Sequence, residues 1–351
     1  MLFNVEADQG HEIVGYLVPD SFTDIPRLAL FSRGQMLWAG QAAEPRPALV
    51  ASGRHRTGQC GFRIGPTAVP DLAQRGDVEL RCMATGLTIY RRFAGRPVVA
   101  RRVFRLETRC VPLTRFDREL EPFFQAWHPQ IDRYGAETID QLFLLNGRGS
   151  SYASGRLQVP GHGALADGSV AVLLLLRDPF EELAERLSVL SGARGPVARH
   201  LPLRERLALA PAIEAVRSVD LAAPRALRRA IRRLDEAAAA ALSNPLTRQL
   251  TRPVPGELCA ADAVATALRT LSSFDLVSVA DLPGYFETGV GALLGVPAPL
   301  PIRDPHAAEI GEIADTLSRI GAVEAMLECD LEVYASASGV FERLAAGGAQ
   351  G

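Results

Sequence analysis

The chain has 351 residues, of which 48% are hydrophobic and 22% charged, and its formal net charge at pH 7 is −2. These values are typical of a globular protein and argue against a disordered, collagenous or nucleic-acid-coating one. All 38 basic residues are arginines, which excludes Schiff-base chemistry, pyridoxal phosphate enzymes and phosphate loops that depend on a lysine. The length predicts two domains, or one large domain with a small appendage.

The first part of the chain has the pattern of short antiparallel strands. Apolar segments such as EIVGYLV, RLALFSR and VELRC are separated by glycine, proline and aspartate at the spacing of a small β-sandwich. The turn-rich stretch Ala94–Pro97 follows them. We therefore predict an N-terminal β-sandwich domain over residues 1–97.

The remaining chain, residues 98–345, is predicted to be an α/β domain with a parallel sheet and a mostly helical C-terminal half. VVARRVFRLET has the pattern of a strand, and LTRFDRELEPFFQAW has apolar residues at helical spacing. The apolar run Val170–Leu176 predicts a strand buried on both faces, and FEELAERLSVLSG predicts the helix after it.

Further elements are predicted towards the C-terminus. APRALRRAIRRLDEAAAAAL predicts one long amphipathic helix, FDLVSVADL a later strand, and YFETGVGALLG a helix that ends at Gly295. Two final helical stretches follow, and residues 346–351 are predicted to form a flexible tail.

The cysteines and the apolar segments indicate the cellular compartment of the protein. The cysteines lie singly and never in C-x-x-C spacing, which predicts buried thiols and neither a disulfide framework nor a zinc site. The first residues lack the pattern of a signal peptide, and no apolar run approaches the roughly 18 residues of a membrane span. We predict a cytoplasmic protein without a membrane span.

Arg177 is the first candidate for a ligand contact. It follows the predicted strand Val170–Leu176 directly, and open α/β sheets bind ligands at the carboxyl ends of their strands. A guanidinium there can make a paired contact to phosphate. The alternative is an arginine that only pairs with Asp178 or caps a loop.

At these residues the chain resembles the sulfotransferase superfamily. The order Gly161 and His162, buried strand, Leu-Arg-Asp-Pro and helix is similar to that of the bacterial glycan-modifying members that use the sulfate donor PAPS. SNPLTRQLTRP, FDLVSVADLPGYFETGVGALLG and the D-x-x-x-Y of Asp330 and Tyr334 add to the likeness over residues 98–345. The β domain resembles sandwich modules found beside polysaccharide-processing enzymes.

The resemblance implies a P-loop-like fold and a site for PAPS or its product PAP. Arg177 would hold the 3′-phosphate, and Arg109 and Arg115 would supply charge near the phosphosulfate. His162 would act as the general base for a sugar hydroxyl. From the residues alone, the two flanking glycines favour an exposed turn for His162 over a catalytic role.

The chain departs from the family at both halves of the donor site. Family members have a Pro-Lys-x-Gly-Thr-Thr loop after the first strand, whereas RRVFRLETRCVPLTRFDREL has no glycine, no lysine, and a proline at 112 that lacks an amide donor. Eight residues after Arg177 the family has a serine, and this chain has Glu185. That carboxylate would repel a phosphate by about 1 kcal/mol or more. We therefore predict no PAPS-dependent transfer.

Two polar segments offer further candidates. Asn146–Leu157 is rich in glycine and in hydrogen-bonding side chains, so it predicts either an anion or sugar site or a mobile surface loop. Its candidate substrate-binding residues are Arg148, Ser150, Ser151, Tyr152 and Arg156. Glu181, Glu182 and Glu185 are interpreted as a solvated helix face.

An arginine stripe runs along the predicted helix near residue 230. Its members are Arg225, Arg228, Arg229, Arg232 and Arg233. The stripe is either solvated surface or an attractor for anionic polysaccharide. No nucleic-acid partner is indicated.

These patterns lead to two functional hypotheses. The first is a sulfotransferase-like protein associated with bacterial surface or extracellular glycans, with a degraded or remodelled donor site. The second is a non-catalytic interaction or scaffold protein whose β-sandwich binds a glycan or a protein partner.

Overall fold

The computed structural model describes residues 1–21, 24–93, 97–144, 149–165, 167–282 and 284–348. The chain divides into two compact units, one of residues 1–102 and 120–153, the other of residues 103–119 and 154–351. The sequence predicted one boundary near residue 97. In the structure the segment 120–153 instead belongs to the same unit as the N-terminal strands.

The first unit contains two four-stranded antiparallel sheets, with strand orders β1-β2-β6-β5 and β4-β3-β7-β8. The strands are β1 Leu2–Asp8, β2 Ile13–Val18, β3 Arg27–Ser32, β4 Gln35–Gln41, β5 Glu44–Pro45, β6 Gln59–Ile64, β7 Asp77–Cys82 and β8 Thr88–Phe93. Alternate residues of β7 are buried, namely Val78, Leu80 and Cys82, as the predicted alternation requires.

A parallel sheet of five strands has the order β10-β11-β9-β12-β13. Its strands are β9 Arg102–Leu106, β10 Ala126–His128, β11 Ser151–Gly155, β12 Ala171–Leu176 and β13 Leu276–Val279. Leu173, Leu174 and Leu176 of β12 are fully buried, so the strand predicted over 170–176 is confirmed to within one residue. Parallel strands place their carboxyl ends at one edge, and β9 and β12 are neighbours there.

The C-terminal half is mostly helical, as predicted. The helices are α1 Pro47–Ala51, α2 Thr114–Leu120, α3 Ala136–Leu144, α4 Pro179–Leu190, α5 Val197–His200, α6 Leu203–Ala208, α7 Ala210–Val216, α8 Pro224–Arg232, α9 Glu236–Leu242, α10 Pro245–Thr251, α11 Ala263–Ser272, α12 Tyr285–Leu294, α13 Ala307–Leu317, α14 Gly321–Met326 and α15 Glu328–Gly348. In the main helical core α4 packs against α7 and α13, while α9 packs against α7 and α8 against α13; Leu187 and Leu317 are among its fully buried residues.

Local chemistry explains how α4 and α12 begin and end. The Asp178 carboxylate accepts hydrogen bonds from the amides of Phe180 and Glu181, and Pro179 occupies the first helical position of α4. Gly295 ends α12 at a φ of 65°, the left-handed conformation that favours glycine. Helices were predicted at both places, α12 with its end at Gly295.

Three sequence predictions differ from the structure. The single helix predicted around residue 230 is two helices, because the Asp235 side chain accepts from the Ala238 amide and starts α9. The helix predicted through residue 127 ends at Leu120, and His128 is a buried residue of β10. The predicted flexible tail begins inside α15, which continues to Gly348, while residues 349–351 lie outside the described residues.

The cysteines are free thiols. Cys60, Cys82 and Cys110 are buried as predicted, whereas Cys259 and Cys329 are only partly buried. Within the described ranges, no helix combines the length and the apolar character needed to cross a lipid bilayer.

Candidate functional site

Two of the predicted arginines meet at the carboxyl edge of the parallel sheet. Arg177 follows the last residue of β12, and Arg109 lies three residues after the end of β9. Both guanidinium groups contact the carboxylate of Glu185, and both approach Asp304. The side chains of the two arginines are largely buried. Arg177 is thus paired within the chain, as in the alternative interpretation, but with Glu181 and Glu185 instead of Asp178.

Glu185 bridges the two arginines and is only 2% exposed. Its Oε2 accepts from Arg109 Nη2 at 2.6 Å, from Arg109 Nε at 3.1 Å and from Arg177 Nη1 at 2.9 Å. The sequence interpretation of a solvated acidic helix face is wrong for Glu182 and Glu185, which are buried. Glu185 lies one turn after Glu181 in α4, so both carboxylates are on the face towards Arg177.

Asp304 completes the contacts of the arginine pair. Its Oδ2 lies 2.5 Å from Arg109 Nη2 and 3.7 Å from Arg177 Nη2, and its Oδ1 accepts from the His306 amide at 2.9 Å. Burial alone would raise the pKa of Asp304, but the His306 amide and Arg109 lower it below its ordinary value. Burial also opposes the charge of Arg109, yet Glu185 and the other carboxylates raise its pKa. The groups are therefore held in their ionised forms.

The loop after β9 has its backbone amides occupied by carboxylates of the same chain. Glu107 accepts from the amide of Arg109 at 3.2 Å and from the amide of Leu113 at 3.0 Å. Glu185 Oε1 accepts from the amide of Val111 at 2.9 Å, and Pro112 has no amide hydrogen to offer. The loop thus surrounds anionic groups with backbone donors, and those groups are side chains of the protein itself.

A second buried network lies on β9 next to this loop. Arg105 forms a bidentate salt bridge with Asp117, in which Nε and Nη2 lie 2.8 and 3.0 Å from the two carboxylate oxygens. Its Nη1 donates to Glu107 at 2.9 Å, and Ser154 Oγ donates to Asp117 at 2.8 Å. Sequence reasoning missed Arg105. The sequence did contain one indication, because Arg105 lies between Phe104 and Leu106 in a predicted strand. In the structure all three residues are buried.

We call these groups the carboxyl-edge cluster. Its members are Arg105, Glu107, Arg109, Asp117, Arg177, Glu181, Glu185 and Asp304. Three arginines in this cluster face five carboxyl groups. The cluster therefore has no surplus of positive charge with which to hold an anionic ligand.

Two cavities adjoin the cluster. One of about 220 Å³ is lined by Arg109, Arg177 and Asp304 together with apolar side chains, among them Phe286. The other, of about 270 Å³, shares Arg109 and Asp304 with it and adds Arg115. Arg115 is 71% exposed and pairs with Glu119 at 3.5 Å in α2, so it lies at the rim and takes no part in the bridged arginine pair.

His162 occupies a different place from the one expected. It is buried, so it is not the exposed turn residue that its flanking glycines indicated. It lines neither of the two cavities at the carboxyl edge. A role as general base for a group bound beside Arg177 therefore has no geometric support.

The predicted substrate residues separate into different roles. Tyr152 is fully buried against Phe124, with ring centroids 5.5 Å apart, and serves the core of the first unit. Ser150 is buried, its Oγ accepting from the Gln125 amide, and Ser151 begins β11. Arg148 lies outside the described residues.

Arg156 belongs to the second unit and supports the loop that carries Arg109. Its Nη1 donates to the carbonyl of Arg109 at 3.0 Å, its Nη2 donates to the carbonyl of His200, and its Nε contacts Glu205 at 2.9 Å. Arg156 therefore holds the Arg109 backbone in place while its charge is paired with Glu205.

Comparison of the chain with protein-family models, with curated proteins and with solved structures gives no match. Among the described residues, no group of three or more histidine, cysteine, aspartate or glutamate side chains is arranged to hold a metal ion.

Proposed function

We propose that this chain is a sulfotransferase-like protein that binds an acidic glycan and does not transfer sulfate from PAPS. The observation that carries the proposal is the position of Glu185, which bonds both Arg109 and Arg177. In the sulfotransferases that the sequence resembles, the strand-end arginine holds the 3′-phosphate of the donor. Here the corresponding arginine, Arg177, bonds the carboxylate of Glu185 in place of a donor phosphate.

The loop after β9 supports the same conclusion. A donor phosphosulfate would need backbone amides and positive charge in this loop, since charge builds up there during transfer. The amides of Arg109, Val111 and Leu113 are already bonded to Glu107 and Glu185. A donor would have to displace buried carboxylates and leave them unpaired. Leaving a buried charge without a partner costs several kcal/mol.

The exposed arginine face of α8 supports binding of an acidic polymer. Arg225, Arg228 and Arg229 are exposed, as are Arg232 and Arg233, while Leu227 and Ile231 are buried on the opposite side. No ion pair found among the described residues neutralises this face. Closely spaced exposed arginines attract carboxylated or sulfated polysaccharide by long-range electrostatics.

The first experiment is calorimetric titration of the protein with PAP. We expect no heat of binding that depends on Arg177, up to millimolar PAP, because its guanidinium is already paired with Glu185. Arg217→Ala is the control, since Arg217 is exposed and pairs only at the surface with Glu214. Micromolar binding that is lost in Arg177→Ala and kept in Arg217→Ala would overturn the proposal.

The second experiment measures binding to heparin fragments. The variant Arg228→Gln with Arg232→Gln removes two charges from the arginine face, and Arg217→Gln with Arg319→Gln removes two exposed charges elsewhere. At about 0.5 to 1 kcal/mol for each exposed charge contact, the first variant should bind about tenfold more weakly and the second should bind normally. Equal weakening in both variants, or equal affinity for duplex DNA, would contradict a specific glycan surface.

A further inference from the structure

A cavity in the second unit has an excess of arginine over acidic groups. It measures about 70 Å³, and its charged lining consists of Arg156, Arg186, Arg204, Arg248 and Glu205. Gln158 and Gln249 also line it. It shares no lining residue with the two cavities at the carboxyl edge. The excess of positive charge over the single carboxylate distinguishes it from the carboxyl-edge cluster.

Arg186 is largely buried and has no carboxylate within hydrogen-bond distance among the described residues. Its side chain is 12% exposed, and its nearest carboxylate is Glu182 at 3.7 Å, beyond hydrogen-bond distance. Among the described residues, neither Nε of Arg186 nor Oε1 of Glu182 has a hydrogen-bond partner. Burial raises the pKa of Glu182 to about 7, so its negative charge is only partly present at neutral pH. Unpartnered donors of this kind call for an acceptor.

Arg248 adds a second buried cation beside it. The residue is 8% exposed, and its Nη1 donates to the carbonyls of Ala240 and Ser243 at 2.8 and 3.0 Å. Burial and the charge of Arg186 both lower the pKa of Arg248. The buried Asp330 is nearby, but its oxygens accept from the amides at the start of α10. Two like charges are therefore held together without a carboxylate hydrogen-bonded to either in the described residues.

The remaining charged groups of the lining have separate tasks. Arg156 is paired with Glu205 at 2.9 Å, and Arg204 is exposed on α6. Gln249 donates its side-chain amide to the carbonyl of Glu107 at 2.8 Å, which fixes its orientation. The cavity thus reaches solvent beside Arg204, and its inner wall is formed by Arg186 and Arg248.

We propose that this cavity binds a phosphoryl group, held by Arg186, Arg204 and Arg248. A water molecule needs about 10 to 15 Å³ on the same measure, so the cavity accommodates a group of a few heavy atoms. Guanidinium groups match the oxygens of a phosphate in both charge and geometry. The ligand is either free phosphate or a phosphomonoester whose remainder extends past Arg204 into solvent.

The test is calorimetric titration of the full chain with inorganic phosphate, with chloride added to keep the ionic strength constant. We expect saturable binding that weakens at least about tenfold in Arg204→Gln and in Arg186→Gln, because each removes a charged donor from the cavity. Arg217→Gln removes an exposed charge outside the cavity and should bind phosphate normally. Arg204 is exposed, so its variant tests the site even where Arg186→Gln fails to fold.

Three results would overturn the proposal. The first is the absence of any heat of binding at about 20 mM phosphate. The second is a phosphate affinity of Arg204→Gln equal to that of the wild type. The third is phosphate binding that is lost in Arg177→Ala but kept in Arg204→Gln. The last result would place the ion at the carboxyl edge and so count against the proposed function as well. Titration with glucose 6-phosphate distinguishes the two ligand sources. If glucose 6-phosphate binds more tightly than inorganic phosphate, the ligand of the cavity is a phosphomonoester. If the two bind equally, the ligand is free phosphate.

Discussion

Replacing Glu185 by glutamine should destabilise the protein markedly. Glutamine has the same shape and keeps an oxygen that can accept from the Val111 amide, but it removes the charge shared by Arg109 and Arg177. Both guanidinium groups are largely buried, at 12% and 8% exposure, so water replaces the lost carboxylate only in part. The variant therefore isolates the charge of the bridge from its volume.

The size of the loss follows from the contacts that remain. Breaking a buried ion pair by removing one partner costs about 3 to 5 kcal/mol. In Glu185→Gln, Arg109 keeps Asp304 at 2.5 Å and Arg177 keeps Glu181 at 2.7 Å. We therefore expect a loss at the lower end of that range, about 3 kcal/mol in the free energy of unfolding.

Urea unfolding at neutral pH measures this loss. Glu181→Gln is the matched control, because Glu181 lies on the same helix and also pairs with Arg177 but is 39% exposed. Its removal should cost less than about 1 kcal/mol. Added PAP should stabilise Glu185→Gln more than wild type, since an anion can then take the place of the carboxylate. Equal losses in the two variants would refute the reasoning that Glu185 holds the arginine pair.

Three further predictions follow from the same structure. Incubation with radiolabelled PAPS and simple glycans should give no sulfate transfer, whereas turnover that disappears in both Arg109→Ala and Arg177→Ala would show that arginines have rebuilt the site. The pKa of Glu182 is raised to about 7 in the folded state, so its contribution to stability is fully present below about pH 4.5 and is lost as the pH rises through 7. The free energy of urea unfolding should therefore differ less between about pH 5 and about pH 8 in Glu182→Gln than in the wild type. An equal pH difference in the two proteins would count against a proton on Glu182. Asp235→Ala should lower the free energy of unfolding by about 1 kcal/mol, because the Ala238 amide at the start of α9 loses its partner, and a loss near zero would deny that the cap matters.

The elements that sequence predicted best are those with local signals. The apolar run of β12 and the Asp178-Pro179 start of α4 each depend on a few neighbouring residues, and both lie where they were expected. The position of Arg177 at a strand end was predicted for the same reason. Local patterns are sufficient where the cause of the structure is itself local.

The contacts that define the site are not local. Arg109 and Asp304 are 195 residues apart in the chain, and no pattern indicated that they meet. The acidic face of α4 was interpreted as solvated because its spacing alone does not say which side packs on the loop after β9. Arg105 was missed because its partner Asp117, 12 residues further along the chain, is brought to it by the fold of β9 and α2.

Arg156 links the two charged regions of the second unit through one planar group. Its guanidinium lines the cavity beside Arg186 and also donates to the carbonyl of Arg109, whose side chain bonds Glu185. A ligand that draws Arg156 towards itself must therefore weaken the support of the Arg109 loop, and a rearranged Arg109 must change the affinity of that cavity. Thermodynamic linkage makes these two effects equal in free energy.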